Sequence, residues 1–288
     1  MEKKLVSAII TTHNRKNLLC RAISSVFSQT YSPIELIVVD DHSDDETSTV
    51  CKDSRITYIY IPKEESKGGN YARNLGVKAS NGEYCAFLDD DDYWLPTKIE
   101  KQVAIIEKND CELVHCGCRK EYVEQVGTRY SEVLPHPLYS GDLSRRILYT
   151  ICTTTSCILV KRKALFDIGL FDEDLKFWQE YELTIRLAQR KPFYFVDEAL
   201  LVYRVDTQDK NRLTNKYYEW CKATKYIRQK HAVLYSKLNF KEQLKVKDLI
   251  WRDAVDRCKS SGLQGHYYFY KFLTSPHALM RFFRKMLD

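Results

Sequence analysis

The 288-residue chain has no run near the roughly 20 consecutive apolar residues that a membrane-spanning helix requires, so a helical bilayer span is not expected. Its first residues, Met1-Glu-Lys-Lys-Leu-Val6, pass straight into a strand-like segment without the apolar stretch of a signal peptide. The expectation is a cytoplasmic chain whose ten cysteines are reduced thiols. Cys111, Cys116 and Cys118 form the one tight group, and no second pair stands at zinc-site spacing. Alternation along a strand puts Cys116 and Cys118 on one face, which suits a packed core. There is also no internal repeat and no low-complexity tract, which argues against a solenoid or a disordered chain.

What is present is an ordinary folded composition, 44% hydrophobic and 29% charged, in a chain long enough to bury a full α/β core. The formal charge of +6 is modest. Roughly the last 75 residues, however, mix many Lys and Arg with Tyr, Trp and Phe, a combination that suits an anionic surface.

The first hundred or so residues alternate strand and helix signals. Leu5–Ile10 reads as a buried strand and Asn17–Gln29 as a helix; a second strand, Ile34–Val39, ends in Asp40-Asp41. A third strand, Ile56–Ile61, precedes a helix from about Asn70 to Ala79, and a fourth, Tyr84–Leu88, ends in Asp89-Asp90-Asp91-Asp92. This βαβ rhythm predicts a Rossmann-like, mostly parallel sheet flanked by helices. Ligands of such sheets bind beyond the carboxyl ends of the strands, and both acidic clusters fall there.

Further on, a helix is expected over Lys98–Asn109 and a strand near Glu112–Cys118, followed by a less regular stretch through Pro135, Pro137 and Gly141. Cys157–Val160, a helix over Trp178–Gln189 and the extended segment Phe193–Tyr203 restore order, and from about Thr207 the chain reads as helical.

Four adjacent aspartates repel one another unless solvent or a cation compensates. A hard divalent ion, Mg²⁺ or Mn²⁺, held by one or two carboxylates and substrate phosphates is one reading; a solvated acidic loop capping the next helix is the other. Gly68-Gly69 beside Lys67 is open in the same way, between backbone N–H groups offered to phosphate and a loop hinge.

In order along the chain, Val6-Ser-Ala-Ile-Ile-Thr-Thr-His-Asn14, Leu36-Ile-Val-Val-Asp-Asp-His-Ser43, Ala72-Arg-Asn-Leu-Gly76 and Gly82-Glu-Tyr-Cys-Ala-Phe-Leu-Asp-Asp-Asp-Asp92 resemble the consecutive signatures of family-2 glycosyltransferases with the GT-A fold. Gly169–Leu175, the segment Trp178–Leu183 and Arg186 resemble that family's acceptor-side motif. The resemblance implies a nucleotide-sugar-dependent, inverting transferase with three parts. These are a donor-binding half over 1–106, an acceptor-binding half over 107–206, and a C-terminal helical region over 207–288.

By the same resemblance, Thr11 and His13 flank the nucleotide base, Asp41 accepts from its ring N–H, and Arg73 lies near base and diphosphate. Asp89 holds the ribose, Asp91 ligates Mn²⁺ or Mg²⁺, and Glu180 is the general base; Asp90 and Asp92 carry no assigned role. On a helix Glu182 points about 200 degrees away from Glu180, so the two cannot share the crevice.

The expected reaction is transfer of a sugar, with a UDP-sugar as donor, to a hydroxyl of a glycan or lipid-linked saccharide in surface polysaccharide synthesis, with no nucleic-acid partner. An inactive nucleotide-sugar-binding partner protein is the alternative. A nucleotidyltransferase ranks below both, since no Gly-rich phosphate loop follows the first strand. The terminal segment, 276–288, separates on a helical wheel into an apolar face and a face bearing Arg281, Arg284 and Lys285. Contact with the inner face of the cell membrane and packing on protein explain that pattern equally.

Overall fold

The structure, a computed structural model, describes residues 3–208 and 216–275. The basic amphipathic segment 276–288 therefore lies outside the described residues. The chain divides into two compact units, one of Met1–Ser144 with Cys152–Gln208, the other of Arg145–Ile151 with Asp209–Asp288.

The first unit is built on nine strands: β1 Val6–Thr12, β2 Ile34–Asp41, β3 Ile56–Ile61, β4 Tyr84–Asp89, β5 Tyr93–Trp94, β6 Leu113–Val123, β7 Thr128–Val133, β8 Leu159–Lys161 and β9 Phe193–Asp206. Their order is β3-β2-β1-β4-β8-β6-β9-β5, with β7 paired to β6. β1 is flanked by β2 and β4, all three parallel, and β2 is parallel to β3. The apolar runs of β1, β2 and β4 are buried almost throughout, as strands covered on both faces must be. The sequence order turns back between β1 and β4, and the crevice at such a switch point is where open sheets bind ligands.

Helices α1 Lys16–Phe27, α2 Gly69–Ala79, α3 Lys98–Lys108, α4 Arg162–Asp167 and α5 Gln179–Ala188 accompany the sheet. Helix α1 buries Leu19, Ala22, Ile23 and Val26, an i, i+3, i+4, i+7 stripe. Helix α2 packs closely because Gly76 has no side chain: a Cβ there would sit 2.5 Å from Cγ2 of Ile9. Each fully buried aliphatic side chain contributes about 1.5–3 kcal/mol, so these faces stabilise the helices more than propensity does. Cys111, Cys116 and Cys118 all lie in the apolar core.

Beyond β4 the structure adds the short strand β5 and helix α4 to the expected elements, and it departs from them at β6 and β7. β6 runs on from Cys118 to Val123, with register shifts on both sides of Gly117, where a Cβ would meet the Val133 carbonyl oxygen at 2.6 Å. The stretch expected to be irregular includes β7, an antiparallel partner of β6. Five of its six residues are exposed, so it has no buried face to mark it in the sequence.

The second unit contains α6 Tyr217–Lys230, α7 Ala232–Ser236, α8 Phe240–Ser260 and α9 Gln264–Leu273. Helix α8 opens with a capping box between Asn239 and Glu242, and Arg145 of the same unit pairs with Glu242. No helix among the described residues is long and apolar enough to cross a membrane.

Candidate active site

The register of the parallel strands aligns Thr12 with Asp40 and Thr11 with Asp89, so the ends of β1, β2 and β4 meet at one edge. Thr11, His13, Asp41, Asp89 and Asp91 all fall at that edge. His13 Nδ1 lies 2.7 Å from the Asp41 carbonyl, joining the first two strand ends. Asp40 and Asp41 separate by burial. Asp40 is enclosed and accepts from the Tyr58 hydroxyl at 2.7 Å and the Ser43 amide at 2.9 Å. Asp41 remains partly open and faces His42 at 3.3 Å.

The four aspartates also separate. Asp92 is buried, accepting from the Ser156 hydroxyl at 2.8 Å and the Arg204 amide at 3.0 Å. Burial and the neighbouring Asp91 and Asp89 charges push its carboxyl well above the usual carboxylate range. Asp90 is also buried and accepts from the Thr12 hydroxyl at 2.8 Å and Arg15 Nη1 at 3.0 Å. Burial pushes its carboxyl up to about 6, against the opposing pull of Arg15. Asp89 and Asp91, by contrast, keep 33% and 30% of their side chains exposed. The turn therefore anchors two carboxylates inward and leaves two at the crevice.

Arg73 comes from α2, where its guanidinium is nearly enclosed. It donates to Asp89 at 2.6 Å, to the Gln179 side-chain oxygen at 3.1 Å and to the Asn70 side-chain oxygen at 3.3 Å. Asn70 donates in turn to the carbonyls of Asp172 and Leu175, and Asn74 to that of Phe171. The polar face of α2 thus ties the segment before α5 to the end of β4. Gly68, at φ +91, is a loop residue ahead of α2, and Gly69 leaves room for Arg73, whose Nη1 would lie 3.1 Å from a Cβ there.

Gln179 and Glu180 form the first turn of α5, in which Gln179 reaches Arg73 and Glu180 is half-buried. Trp178, just before, holds φ +54. Glu182 is fully buried and chelated by Arg186 at 2.6 Å, so it belongs to the core.

Two residues escaped the sequence reading. Arg15 bridges Asp90 and Asp91, at 3.0 and 2.9 Å; its place in the loop after the first strand was the available signal. Ser156 accepts from the Asp89 amide at 3.1 Å while donating to Asp92. Nothing local in the sequence marks it.

Among the described residues, no group of three or more His, Cys, Asp or Glu could hold a metal ion. The donor set fits the other mode, a hard cation shared between one or two carboxylates and substrate phosphates. Asp91 is, with Asp89, one of the two partly exposed carboxylates of the run and is paired with Arg15 at 2.9 Å, whereas Asp90 and Asp92 are buried and bonded to Thr12, Arg15, Ser156 and Arg204.

Residues 7–169 match the family described as glycosyl transferase family 2. The chain belongs to that family. An uncharacterised glycosyltransferase of Rickettsia typhi is 36% identical over 222 residues, covering 75% of this chain and 69% of the relative. The Escherichia coli protein WfaP, a UDP-Glc:alpha-D-GlcNAc-diphosphoundecaprenol beta-1,3-glucosyltransferase, is 45% identical over 125 residues, covering 42% of this chain and 48% of WfaP. Among solved structures, S. aureus TarS aligns with TM-score 0.61 and 19% identity over 90% of this chain and 73% of that one. The mannosyltransferase PcManGT of Pyrobaculum calidifontis, solved with GDP-Man and Mn²⁺, aligns with TM-score 0.57 and 17% identity over 93% and 82%. This family-2 glycosyltransferase has the expected α/β GT-A fold.

Proposed function

We propose that this glycosyltransferase moves a sugar from a UDP-sugar to a hydroxyl of a lipid-linked saccharide by a metal-assisted inverting displacement. The observation that carries the reading is the convergence at one sheet edge of Asp41, Asp89 and Asp91, with Arg73 linking Asp89 to the first turn of the helix bearing Glu180. The activity in WfaP's name supports the donor and acceptor classes. Residues 1–106 serve the donor and 107–206 the acceptor, with 207–288 as a helical appendage. A lipid-linked acceptor implies work at the inner face of the cell membrane by a peripheral protein.

In this reading Thr11, His13 and Asp41 hold the base, Asp89 the ribose and Arg73 the nucleotide side of the diphosphate. Glu180 takes the proton from the acceptor hydroxyl as that oxygen bonds to the anomeric carbon, while the bond from carbon to diphosphate oxygen breaks on the opposite face. A positioned carboxylate contributes about 10²- to 10⁴-fold by this proton transfer. A Mn²⁺ or Mg²⁺ ion held through Asp91 would supply charge neutralisation for the departing diphosphate.

Thermal-shift measurements with a panel of UDP- and GDP-sugars, each with and without manganese, test the reading. A UDP-sugar is expected to raise the melting temperature, and more so with manganese, since ligand bound only by the folded state stabilises it. A chain stabilised by no nucleotide sugar would sink the proposal.

A further inference from the structure

We infer that His42 is a further base-recognition residue, its imidazole joining that of His13 to form the surface on which the uracil of the donor packs. This rests on the nucleotide-sugar reading above.

His42 follows Asp41 at the end of β2 with φ +57, a left-handed backbone conformation that glycine adopts freely and that is uncommon for other residues. Its ring centroid is 4.3 Å from that of His13, at an interplanar angle of 40°. Because a carbonyl and a carboxylate only accept, His13 donates through Nδ1 to the Asp41 carbonyl, and His42 points Nδ1 toward the Asp41 carboxylate. Both imidazoles are thereby oriented around the residue proposed to read the base, with Nε2 of each directed away from these contacts.

Bonds that do not involve the imidazole also hold the loop. On one side of His42, the Ser43 amide donates to Asp40 at 2.9 Å, and the Ser43 hydroxyl accepts from the Asn14 amide at 2.8 Å. On the other side of the crevice edge, the Asn14 side-chain oxygen accepts from the amides of Asp44 and Asp45 at 2.9 and 3.3 Å. These bonds hold the β1 and β2 loops together through groups other than the His42 ring. A costly backbone conformation at a residue whose ring meets Asp41 and the His13 ring, while the loop's backbone bonds run through Ser43 and Asn14, points to a use for that side chain outside the fold. Aromatic and imidazole faces stack nucleobases at strand ends by the same physics.

Calorimetric titration of UDP with manganese into wild type, His42→Gly and His42→Asn, with melting temperatures of all three, tests this. Asparagine keeps the left-handed conformation accessible without supplying a ring, so it separates loss of the imidazole from added loop flexibility. Both variants are expected to melt no lower than wild type and to bind UDP roughly fivefold or more weakly, the low end of what one stacked base contributes. Wild-type affinity in both variants overturns the inference and leaves the donor reading standing. Weakened binding in the glycine variant alone assigns the effect to loop flexibility and overturns it. A clear drop in melting temperature in both assigns His42 to the fold and also overturns it. A wild-type chain that binds no UDP overturns the donor reading, and this inference with it.

Discussion

The guanidinium of Arg73 lies 2.6 Å from the Asp89 carboxylate and 3.1 Å from the Gln179 side-chain oxygen, so one side chain of α2 joins the end of β4 to the start of α5. The first contact belongs to the proposed donor site and the second to the helix of the proposed general base. Donor and acceptor sides are therefore coupled through a planar, multidentate donor whose geometry a lysine cannot reproduce.

Arg73→Lys should consequently weaken UDP-sugar binding by about tenfold or more, since it loses at least one charge-assisted hydrogen bond. The melting temperature should fall by a few degrees, because the Asn70 and Gln179 oxygens lose a buried donor. Calorimetry and a thermal melt measure the two effects separately. An unchanged affinity would remove Arg73 from the donor site.

Glu180→Gln should leave UDP-sugar affinity nearly intact and lower the transfer rate about a hundredfold or more, as expected for an interaction made only in the transition state. Steady-state kinetics with a polyprenyl-diphosphate sugar as acceptor would read kcat and donor KM apart. Equal rates for the two proteins would exclude Glu180 as the base. Glu182 offers no substitute, since its carboxylate is enclosed and paired with Arg186.

Asp91→Asn bears on the metal. The side chain is 30% exposed and paired with Arg15, so its replacement should cost little stability. The manganese-dependent part of UDP binding should disappear, while binding measured in EDTA stays as in wild type. A variant that retains the manganese effect would move the ligand role to another residue.

The apolar strands and their acidic ends were legible because continuous Val, Ile and Leu runs report burial on both faces, and the strand order then brings Asp41 and Asp89 together. Which aspartates of 89–92 stay open was not legible. That is decided by Thr12, Ser156 and Arg204, which reach the turn from up to 112 residues away. β7 was missed for the opposite reason to the core strands: it buries no face, so its sequence carries no periodicity. Trp178 and His42 hold left-handed backbone without glycine, a choice that local propensity argues against and only the surrounding contacts can impose.

His115 is fully enclosed in β6; Nε2 donates to the Tyr139 carbonyl at 3.2 Å, and Nδ1 has no hydrogen-bond partner among the described residues. Burial lowers its pKa to about 4, from 6.5. The folded chain thus resists a proton that the unfolded chain accepts, and stability falls as pH drops from the unfolded value toward the folded one. Between pH 7.5 and 5 this one residue should remove about 2 kcal/mol, or several degrees of melting temperature. His115→Gln cannot titrate, so it should lose less on the same change of pH, whatever its own stability at pH 7.5. Melts of both proteins at the two pH values give the comparison. Parallel losses would mean that the imidazole is protonated in the fold or that its enclosure opens in solution.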